Sequence, residues 1–296
     1  MAGDTTMHEA VRLGAAADAL AALAAHVRLE TEQLPADPTV RGLLAAIAAE
    51  LLGEDAAVGR ALAAPVVGLA RTFLRQAAEL VENPGRRGGW DAVDVPLLQS
   101  IGRLSMGFAD ALGGAEQQLP ELAGRMRAPG ARFLDVGTGT GWLSIAAARM
   151  HPGLAVVGID VFAPALELAR GNLAAEDMAG RVELRLQDAA ALDEPECYDA
   201  IWLPMPFLPA GVVPAVVAAA VRSLRPGGWL LPGTFTGPGD RLSELLTDLR
   251  TVRSGGHPWR PAELRELLTS AGLTDVGEIE RTWTAPMRLY TGRRPG

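Results

Sequence analysis

The chain has 296 residues, of which 49% are apolar, and this is enough for one large globular domain or two smaller ones. Its 27 basic residues are outnumbered by 35 acidic ones, and the excess of negative charge argues against nucleic acid as a partner. Every basic residue is arginine, so Schiff-base chemistry on lysine and a lysine general base are excluded.

The terminus and the cysteine content predict a cytoplasmic protein. The first residues, MAGDTTMHEA, lack the basic start and apolar run of a signal peptide, and we expect that no window of about 20 residues stays apolar in the way that a spanning helix requires. Cys197 is the single cysteine, so a disulfide within the chain and a cysteine-rich zinc site are both excluded. We expect no membrane partner and no metal site.

Residues 1–127 predict a helical N-terminal domain. Apolar residues recur at three- and four-residue spacings, which predicts helices over residues 8–30, 38–52, 55–81 and 96–112. Pro65 is expected to kink or divide the third helix, Asn83-Pro84-Gly85 to end it, and Gly113-Gly114 to end the fourth. A helical domain of this kind suits either a lid over a small-molecule site or a dimer interface, and both alternatives stay open.

A polar loop, RRGGWDAVD, is predicted between the third and fourth helices. Its tryptophan, Trp90, is either an anchor packed beside the next helix or a lid residue that lines the acceptor pocket. Residues 97–106, within the fourth helix, are the part of the helical domain that we expect nearest to the active site.

Residues 128–296 predict a second domain, in which strands alternate with helices. Strands are predicted over residues 133–136, 155–159, 182–186, 200–203, 229–232, 276–283 and 286–292, and helices over 142–149, 164–175, 212–224, 242–249 and 261–271. This alternation is typical of an α/β fold, with a mostly parallel sheet covered by helices on both faces.

A glycine-rich turn follows the first of these strands, in FLDVGTGTGW. The glycines Gly137, Gly139 and Gly141 form G-x-G-x-G, whereas a dinucleotide site has G-x-G-x-x-G, whose turn presents a helix N-terminus to a diphosphate. Asp135 would repel a diphosphate but would suit a cation. The pattern therefore favours a cationic nucleoside and disfavours a nicotinamide oxidoreductase.

Two further acids end the next two strands. Asp160 ends VVGID, where a carboxylate can accept hydrogen bonds from both hydroxyls of a ribose, and Asp188 follows the third strand in LQDA. Together with Asp135, they place three carboxylates at successive strand ends on one edge of the predicted sheet.

These motifs resemble the core of the class I S-adenosylmethionine-dependent methyltransferases, of the small-molecule type with a helical N-terminal region. The matching segments are FLDVGTGTG, VVGID, LQDA, YDAIWLPMPF and LRPGGWLLPG. The resemblance implies a Rossmann-like, doubly wound, mostly parallel seven-stranded sheet whose last strand is reversed. It also implies S-adenosylmethionine as cofactor and S-adenosylhomocysteine as product.

The resemblance implies roles for ten residues around this cofactor. The methionine part would be surrounded by Asp135, Gly137, Thr138, Gly139 and Gly141, the ribose held by Asp160 beside Val161, and the adenine flanked by Asp188 and Ala189, with Leu203 completing the set. The donor is an activated sulfonium, so an in-line displacement needs alignment and exclusion of water more than covalent help.

The acceptor site is predicted after the fourth strand, in PMPFLP. Members of the family that methylate nucleobases or protein amides have a polar residue before Pro-Pro-aromatic there, and this chain lacks it. Met205 and Phe207 therefore predict a small, largely apolar acceptor, the alternative being a rigid packed turn. His257, in SGGHPWR, is the candidate general base, and Trp259 either lines the pocket or anchors the loop.

The predicted function is methyl transfer to a small molecule in specialised metabolism, and the protein is a candidate homodimer. Two alternatives remain: a protein of the same fold that binds the cofactor or a ligand without methyl transfer, and a methyltransferase that acts on a macromolecule.

Overall fold

The computed structural model describes residues 2–53, 60–86, 88–89, 95–237 and 239–296. The chain forms two compact units, Met1–Pro84 and Gly85–Gly296.

In its described residues, 2–53 and 60–84, the first unit has three helices. They are α1 (Ala2–Thr31), α2 (Pro38–Leu52) and α3 (Arg60–Glu82). Val27 of α1 packs with Ala63 and Val67 of α3 in a small core. Of the two alternatives at Pro65, a kink or a division, the division is wrong, because α3 continues through this residue. The helix ends just before Asn83-Pro84-Gly85, as predicted.

The apolar character of α1 exceeds the sequence prediction. Within the described residues, Thr5–Thr31 is long and apolar enough, by length and composition, to cross a membrane, and 11% of its most apolar window is buried. The expectation that no window of this length stays apolar was therefore wrong. Core helices and N-terminal signal sequences meet the same criterion, so composition alone does not assign this helix to a membrane.

The second unit is a seven-stranded sheet with helices on both faces. Three helices precede the sheet: α4 (Val95–Leu104), α5 (Phe108–Gln118) and α6 (Pro120–Arg127). The strands are β1 (Arg132–Val136), β2 (Ala155–Asp160), β3 (Val182–Leu186), β4 (Tyr198–Pro204), β5 (Leu224–Phe235), β6 (Thr274–Glu278) and β7 (Met287–Arg293). The intervening helices are α7 (Trp142–Met150), α8 (Ala163–Ala175), α9 (Val213–Ser223), α10 (Arg241–Arg253) and α11 (Pro261–Ser270).

The strand order is β3-β2-β1-β4-β5-β7-β6; the pairs among β1 to β5 are parallel, and β7 runs antiparallel to both of its neighbours, β5 and β6. This confirms the predicted fold class, including the reversed last strand. The chain order reverses direction at β1, from which β2 lies on one side and β4 on the other. The carboxyl ends of the parallel strands at this switch point form the crevice in which open α/β sheets bind ligands.

Successive side chains along the strands pack into two hydrophobic cores, one on each face of the sheet. Phe133 of β1 and Trp202 of β4 pack under α5, α6 and α7, whereas their neighbours Leu134 and Leu203 pack on the opposite face with α9 and α11. Because successive strand residues point to opposite faces, continuous apolar runs are what a doubly covered sheet requires.

The helices before the sheet differ from the prediction. The helix expected over 96–112 is two helices, α4 and α5, separated by a 3₁₀ turn, and α5 continues past Gly113-Gly114 to Gln118. Gly114 serves close packing instead of termination, since a Cβ there would lie 3.0 Å from Cε3 of Trp283. Helix α6 was not predicted.

The compact units divide at Pro84–Gly85, whereas the pattern change that set the predicted domain boundary lies at residues 127 and 128. Phe108, Leu112 and Leu122 explain the difference, because they are fully buried in the same core as Phe133 of β1. Helices α4 to α6 thus belong structurally with the sheet. Sequence periodicity alone does not reveal which core a helix joins.

Candidate functional site

The glycine turn between β1 and α7 places its backbone in conformations that favour glycine. Gly137, Gly139 and Gly141 have φ angles of 65°, 56° and 81°. The turn is tied to β2 through Thr138, whose N–H donates to the carbonyl of Ile159 over 3.0 Å. A Cβ on Gly137 would lie 3.0 Å from Cγ of Pro204, so the turn also closes against the end of β4.

Asp135 lies directly beneath this turn, and its side chain is almost completely buried. One carboxylate oxygen, Oδ2, accepts hydrogen bonds from the hydroxyls of Thr138 (2.8 Å) and Ser144 (2.6 Å). The other oxygen, Oδ1, is buried and has no hydrogen-bond partner. Burial raises the pKa of Asp135 to about 7, against the hydrogen bonds from Ser144 and Thr138, which lower it.

The unpaired Oδ1 of Asp135 indicates that this site suits a cationic ligand. A buried carboxylate oxygen without a donor is costly, and a positively charged group beside it would recover that cost. The α-ammonium group of S-adenosylmethionine supplies such a charge, so the residues present fit this cofactor. Ser144 was missed from the sequence; the signal was a hydroxyl in the first turn of the helix that follows the glycines.

Asp160, at the end of β2, holds the glycine turn from the other side. Its Oδ2 accepts a hydrogen bond from the N–H of Gly139, and its Oδ1 accepts one from the N–H of Phe162, both over 2.8 Å. Burial raises the pKa of this carboxyl above its usual range, and the two backbone hydrogen bonds oppose that shift. Each oxygen keeps acceptor capacity for a ribose hydroxyl, the role that the resemblance implies.

The predicted adenine end is more open. Asp188 is exposed and accepts a hydrogen bond from the N–H of Ala190 over 2.8 Å, which caps a short 3₁₀ turn. Val161 is 70% exposed and Leu186, at the end of β3, is 62% exposed. Leu186 was not among the contacts predicted from the sequence; it is an exposed apolar residue at the end of a strand, between the acids Asp160 and Asp188 in the chain.

Two of the predicted cofactor contacts have side chains that point elsewhere. Leu203 and Ala189 both pack in the core on the α9 face of the sheet. Only their backbone atoms are therefore available to a ligand. The sequence places them at the correct strand ends but does not reveal which face each side chain occupies.

The loop after β4 forms a short 3₁₀ turn, Met205–Phe207. Met205 is fully buried in the core, which corresponds to the packed-turn alternative and removes its side chain from an acceptor. Phe207 is half-buried and meets Phe235 of β5 edge to face, with ring centroids 5.6 Å apart. Of the two residues predicted to contact the acceptor, Met205 and Phe207, only Phe207 therefore has an accessible side chain.

His257 and Trp259 line a cavity of about 270 Å³ beyond the end of β5. Their rings meet edge to face at 4.8 Å, and Nε2 of His257 lies 3.8 Å from Oε2 of Glu263. A Cβ on Gly256 would lie 2.2 Å from the carbonyl oxygen of Pro206, so the histidine loop packs tightly on the loop after β4.

The lining of this cavity is more polar than the predicted apolar site. Aromatic rings of Phe235 and Trp259 face a set of polar side chains from four segments, namely Thr234, Thr236, Glu244, Thr247, Asp248, Thr251, His257, Arg260, Arg288 and Tyr290. Trp90, the other predicted acceptor residue, lies outside the described residues.

Comparison with known proteins agrees with this geometry. Residues 133–228 match a family model described as a methyltransferase domain. The chain is 36% identical over 186 residues to a ubiquinone biosynthesis O-methyltransferase of Xanthomonas campestris pv. campestris, covering 58% of this chain and 76% of that protein. It is 28% identical over 208 residues to the nocamycin O-methyltransferase of Saccharothrix syringae, covering 55% of this chain and 71% of that protein.

The fold is also that of a solved methyltransferase. The structure of an O-methyltransferase family protein from Burkholderia thailandensis superposes with a TM-score of 0.66, at 21% identity, over 98% of both chains. The family match, the sheet order and the glycine turn lead to one assignment. The chain belongs to the class I S-adenosylmethionine-dependent methyltransferases, and its cofactor is S-adenosylmethionine.

Proposed function

We propose that this methyltransferase methylates a hydroxyl oxygen of a small molecule of specialised metabolism, one with an apolar ring body. The observation that carries the proposal is the contrast after β4. The turn offers two prolines and a buried Met205 where an amide or acid would hold an amino group, while an imidazole, His257, lines the neighbouring cavity.

The cofactor supplies an activated methyl group, so the protein has to bind, orient and exclude water. Asp135 and Asp160 lie beneath and beside the glycine turn and are suited to hold the periphery of the cofactor. That placement has a chemical reason. An anion directly against the sulfur would oppose the loss of positive charge during transfer, so the carboxylates act best at a distance from the reacting atom.

His257 is the proposed general base for the acceptor hydroxyl. Its side chain is 42% exposed and lines the cavity, so a substrate can reach the imidazole. Glu263 lies 3.8 Å from Nε2 and is itself held by the N–H of Arg260 over 2.9 Å. This hydrogen bond holds the carboxylate beside the imidazole.

The relatives support a small hydroxylated acceptor. One is named as an O-methyltransferase of ubiquinone biosynthesis and another as an O-methyltransferase of nocamycin. Both names describe methyl transfer to oxygen. The threonines, the tyrosine and the charged side chains around the cavity suit an acceptor that carries further polar groups on its ring body.

The experiment that tests the proposal has two steps. Calorimetric titration with S-adenosylhomocysteine first establishes cofactor binding in the purified protein. Turnover is then measured on matched phenol, amine and carbon-acid acceptors of similar size, and mass spectrometry locates the added methyl group. O-methylation of phenols, with amines unreacted, supports the proposal. A protein and an RNA substrate are assayed in parallel. Tight binding without transfer to any acceptor supports the alternative of a binding protein, and transfer to the protein or RNA supports the macromolecular one.

A homodimer in the cytoplasm is the proposed state of the enzyme. Helix α2 exposes an apolar face, on which Val40, Leu43, Ile47 and Leu51 are between 38% and 61% exposed. Such a face suits a dimer interface. Light scattering at micromolar concentration is expected to give twice the chain mass, and Leu43→Glu to reduce it to a monomer. A monomeric mass for the unsubstituted protein would reject the dimer.

A further inference from the structure

Gln99 of α4 makes side-chain hydrogen bonds to Trp142 of α7 and Asn172 of α8, the two helices beside the glycine turn. Its Oε1 accepts hydrogen bonds from Nε1 of Trp142 (3.1 Å) and from Nδ2 of Asn172 (3.0 Å). Its Nε2 donates to Oδ1 of the same asparagine over 3.1 Å. Gln99 and Asn172 therefore form a cyclic amide pair that joins α4 to α8.

Asn172 extends this pair to the glycine turn itself. Its Nδ2 also donates to the carbonyl of Thr140 over 2.8 Å. Because the peptide unit is planar, a fixed carbonyl of Thr140 also fixes the orientation of the N–H of Gly141. The turn is thus held at two consecutive places: Asp160 holds the N–H of Gly139, and Asn172 holds the carbonyl of Thr140.

Helix α4 packs closely against the glycine turn. A Cβ on Gly102 would lie 1.8 Å from Oγ1 of Thr140 and 3.1 Å from Cδ1 of Trp142. The guanidinium of Arg103 lies 5.2 Å from the centre of the Trp142 ring. One helical turn of α4 therefore contacts both residues that flank Gly141, and a shift of α4 changes the environment of the glycine turn.

We propose that Gln99 is a positioning residue for the cofactor: through Asn172 it holds the 137–141 turn in its binding conformation, and it couples the docking of α4 to cofactor affinity. Neither side chain needs to contact the cofactor. The coupling is reciprocal by thermodynamic necessity, so bound S-adenosylhomocysteine also stabilises the docked position of α4. This inference rests on cofactor binding and is independent of the acceptor.

The test compares Gln99→Ala with a matched control, Gln118→Ala. Gln118 lies on α5 and makes a similar set of amide hydrogen bonds, to the backbone N–H and carbonyl of Glu280, away from the glycine turn. We expect S-adenosylhomocysteine to bind about 5- to 20-fold more weakly to Gln99→Ala, with no change for Gln118→Ala. Calorimetry gives both affinities, and thermal unfolding gives the stability loss of each variant.

A conservative variant separates positioning from general loss of structure. In Gln99→Glu, the ionised carboxylate faces Oδ1 of Asn172 without a proton to donate, whereas the protonated acid restores the cyclic pair. Relative to the unsubstituted protein, its affinity for S-adenosylhomocysteine is expected to recover as the pH is lowered from about 8 to about 5. Equal affinities for Gln99→Ala and Gln118→Ala, or no relative recovery of Gln99→Glu, would overturn the proposal.

Discussion

The donor end and the acceptor end of this site are built in different ways. At the donor end, Asp135, the glycine turn and Asp160 lie within 26 consecutive residues and are linked by hydrogen bonds of 2.6 to 3.0 Å. The cavity proposed for the acceptor is lined by β5, α10, β7 and the loop around His257. The donor site is therefore formed mainly by residues close together in sequence. A pocket assembled from distant segments can change without disturbing that donor site.

The largest effect is expected at the donor end, from Asp160→Ala. The substitution removes the acceptor of the Gly139 N–H, leaves that donor without its partner, and removes the proposed ribose contact. We expect the affinity for S-adenosylhomocysteine to fall by about 100-fold or more, measured by calorimetry. Asp188→Ala, at the open adenine end, is the matched control, and an equal loss in both variants would contradict the distinction drawn between these carboxylates.

A comparable change at the acceptor end should spare the donor. His257→Ala is expected to lower kcat by about 100-fold on an accepted phenol, because the hydroxyl loses its general base. The affinity for S-adenosylhomocysteine should stay within about twofold, since His257 lies in the cavity proposed for the acceptor. Steady-state kinetics and calorimetry on the same preparation check both statements, and an unchanged kcat would remove His257 from the mechanism.

Asp135 makes the donor end sensitive to pH. Its folded pKa of about 7 lies above the ordinary value of 3.8, so the folded state binds more protons between these two pH values. The stability contribution of the protonated form is therefore complete below pH about 4 and is lost as the pH rises through about 7. Urea unfolding between pH 5 and 8 should show this decline, and Asp135→Asn should reduce it.

The protonation of Asp135 can also be followed when the cofactor binds. A cation beside Asp135 favours the ionised form, so binding of S-adenosylhomocysteine at pH 6 should release close to one proton. Calorimetry in two buffers with different ionisation enthalpies measures this release, and Asp135→Asn is the control. Binding without proton release would place the cationic group elsewhere.

Gly256 tests how the acceptor end is held together. A Cβ at this position meets the backbone of Pro206, which does not yield easily, so Gly256→Ala should displace the histidine loop. We expect KM for the acceptor to rise by about tenfold, with the cofactor affinity unchanged. Gly211→Ala is the matched control, because a Cβ there has no atom within 4 Å. A rise in KM for both variants would show that loop packing is not the cause.

The smallest effect is expected at the adenine end. Val161→Ala and Leu186→Ala shorten two exposed apolar side chains, so the folded protein loses little buried surface. S-adenosylhomocysteine should bind about two- to fivefold more weakly to each, with thermal stability unchanged. Unchanged binding in both variants would move the adenine away from these strand ends.

The fold could be predicted from the alternation of strand and helix patterns and from the glycine and proline residues between them. Runs such as Phe133 to Val136 and Val156 to Ile159 identify buried strands, and the glycines with their preceding acid identify the donor. The sequence could not predict that the side chains of Met205, Leu203 and Ala189 pack in the core. An apolar residue at a strand end gives the same sequence pattern whichever face of the sheet its side chain occupies. The continuation of α5 through Gly113-Gly114 depended on a contact with Trp283, far away in sequence.

The sequence by itself determined the cofactor class, since backbone conformation at Gly137, Gly139 and Gly141 and the charge of Asp135 and Asp160 are local properties. Only the tertiary structure decided which side chains face the acceptor cavity and how α4 reaches the glycine turn through Gln99 and Asn172, 73 residues apart. The physical reason is that close packing and side-chain hydrogen bonds form between distant segments, and local periodicity carries no information about those partners.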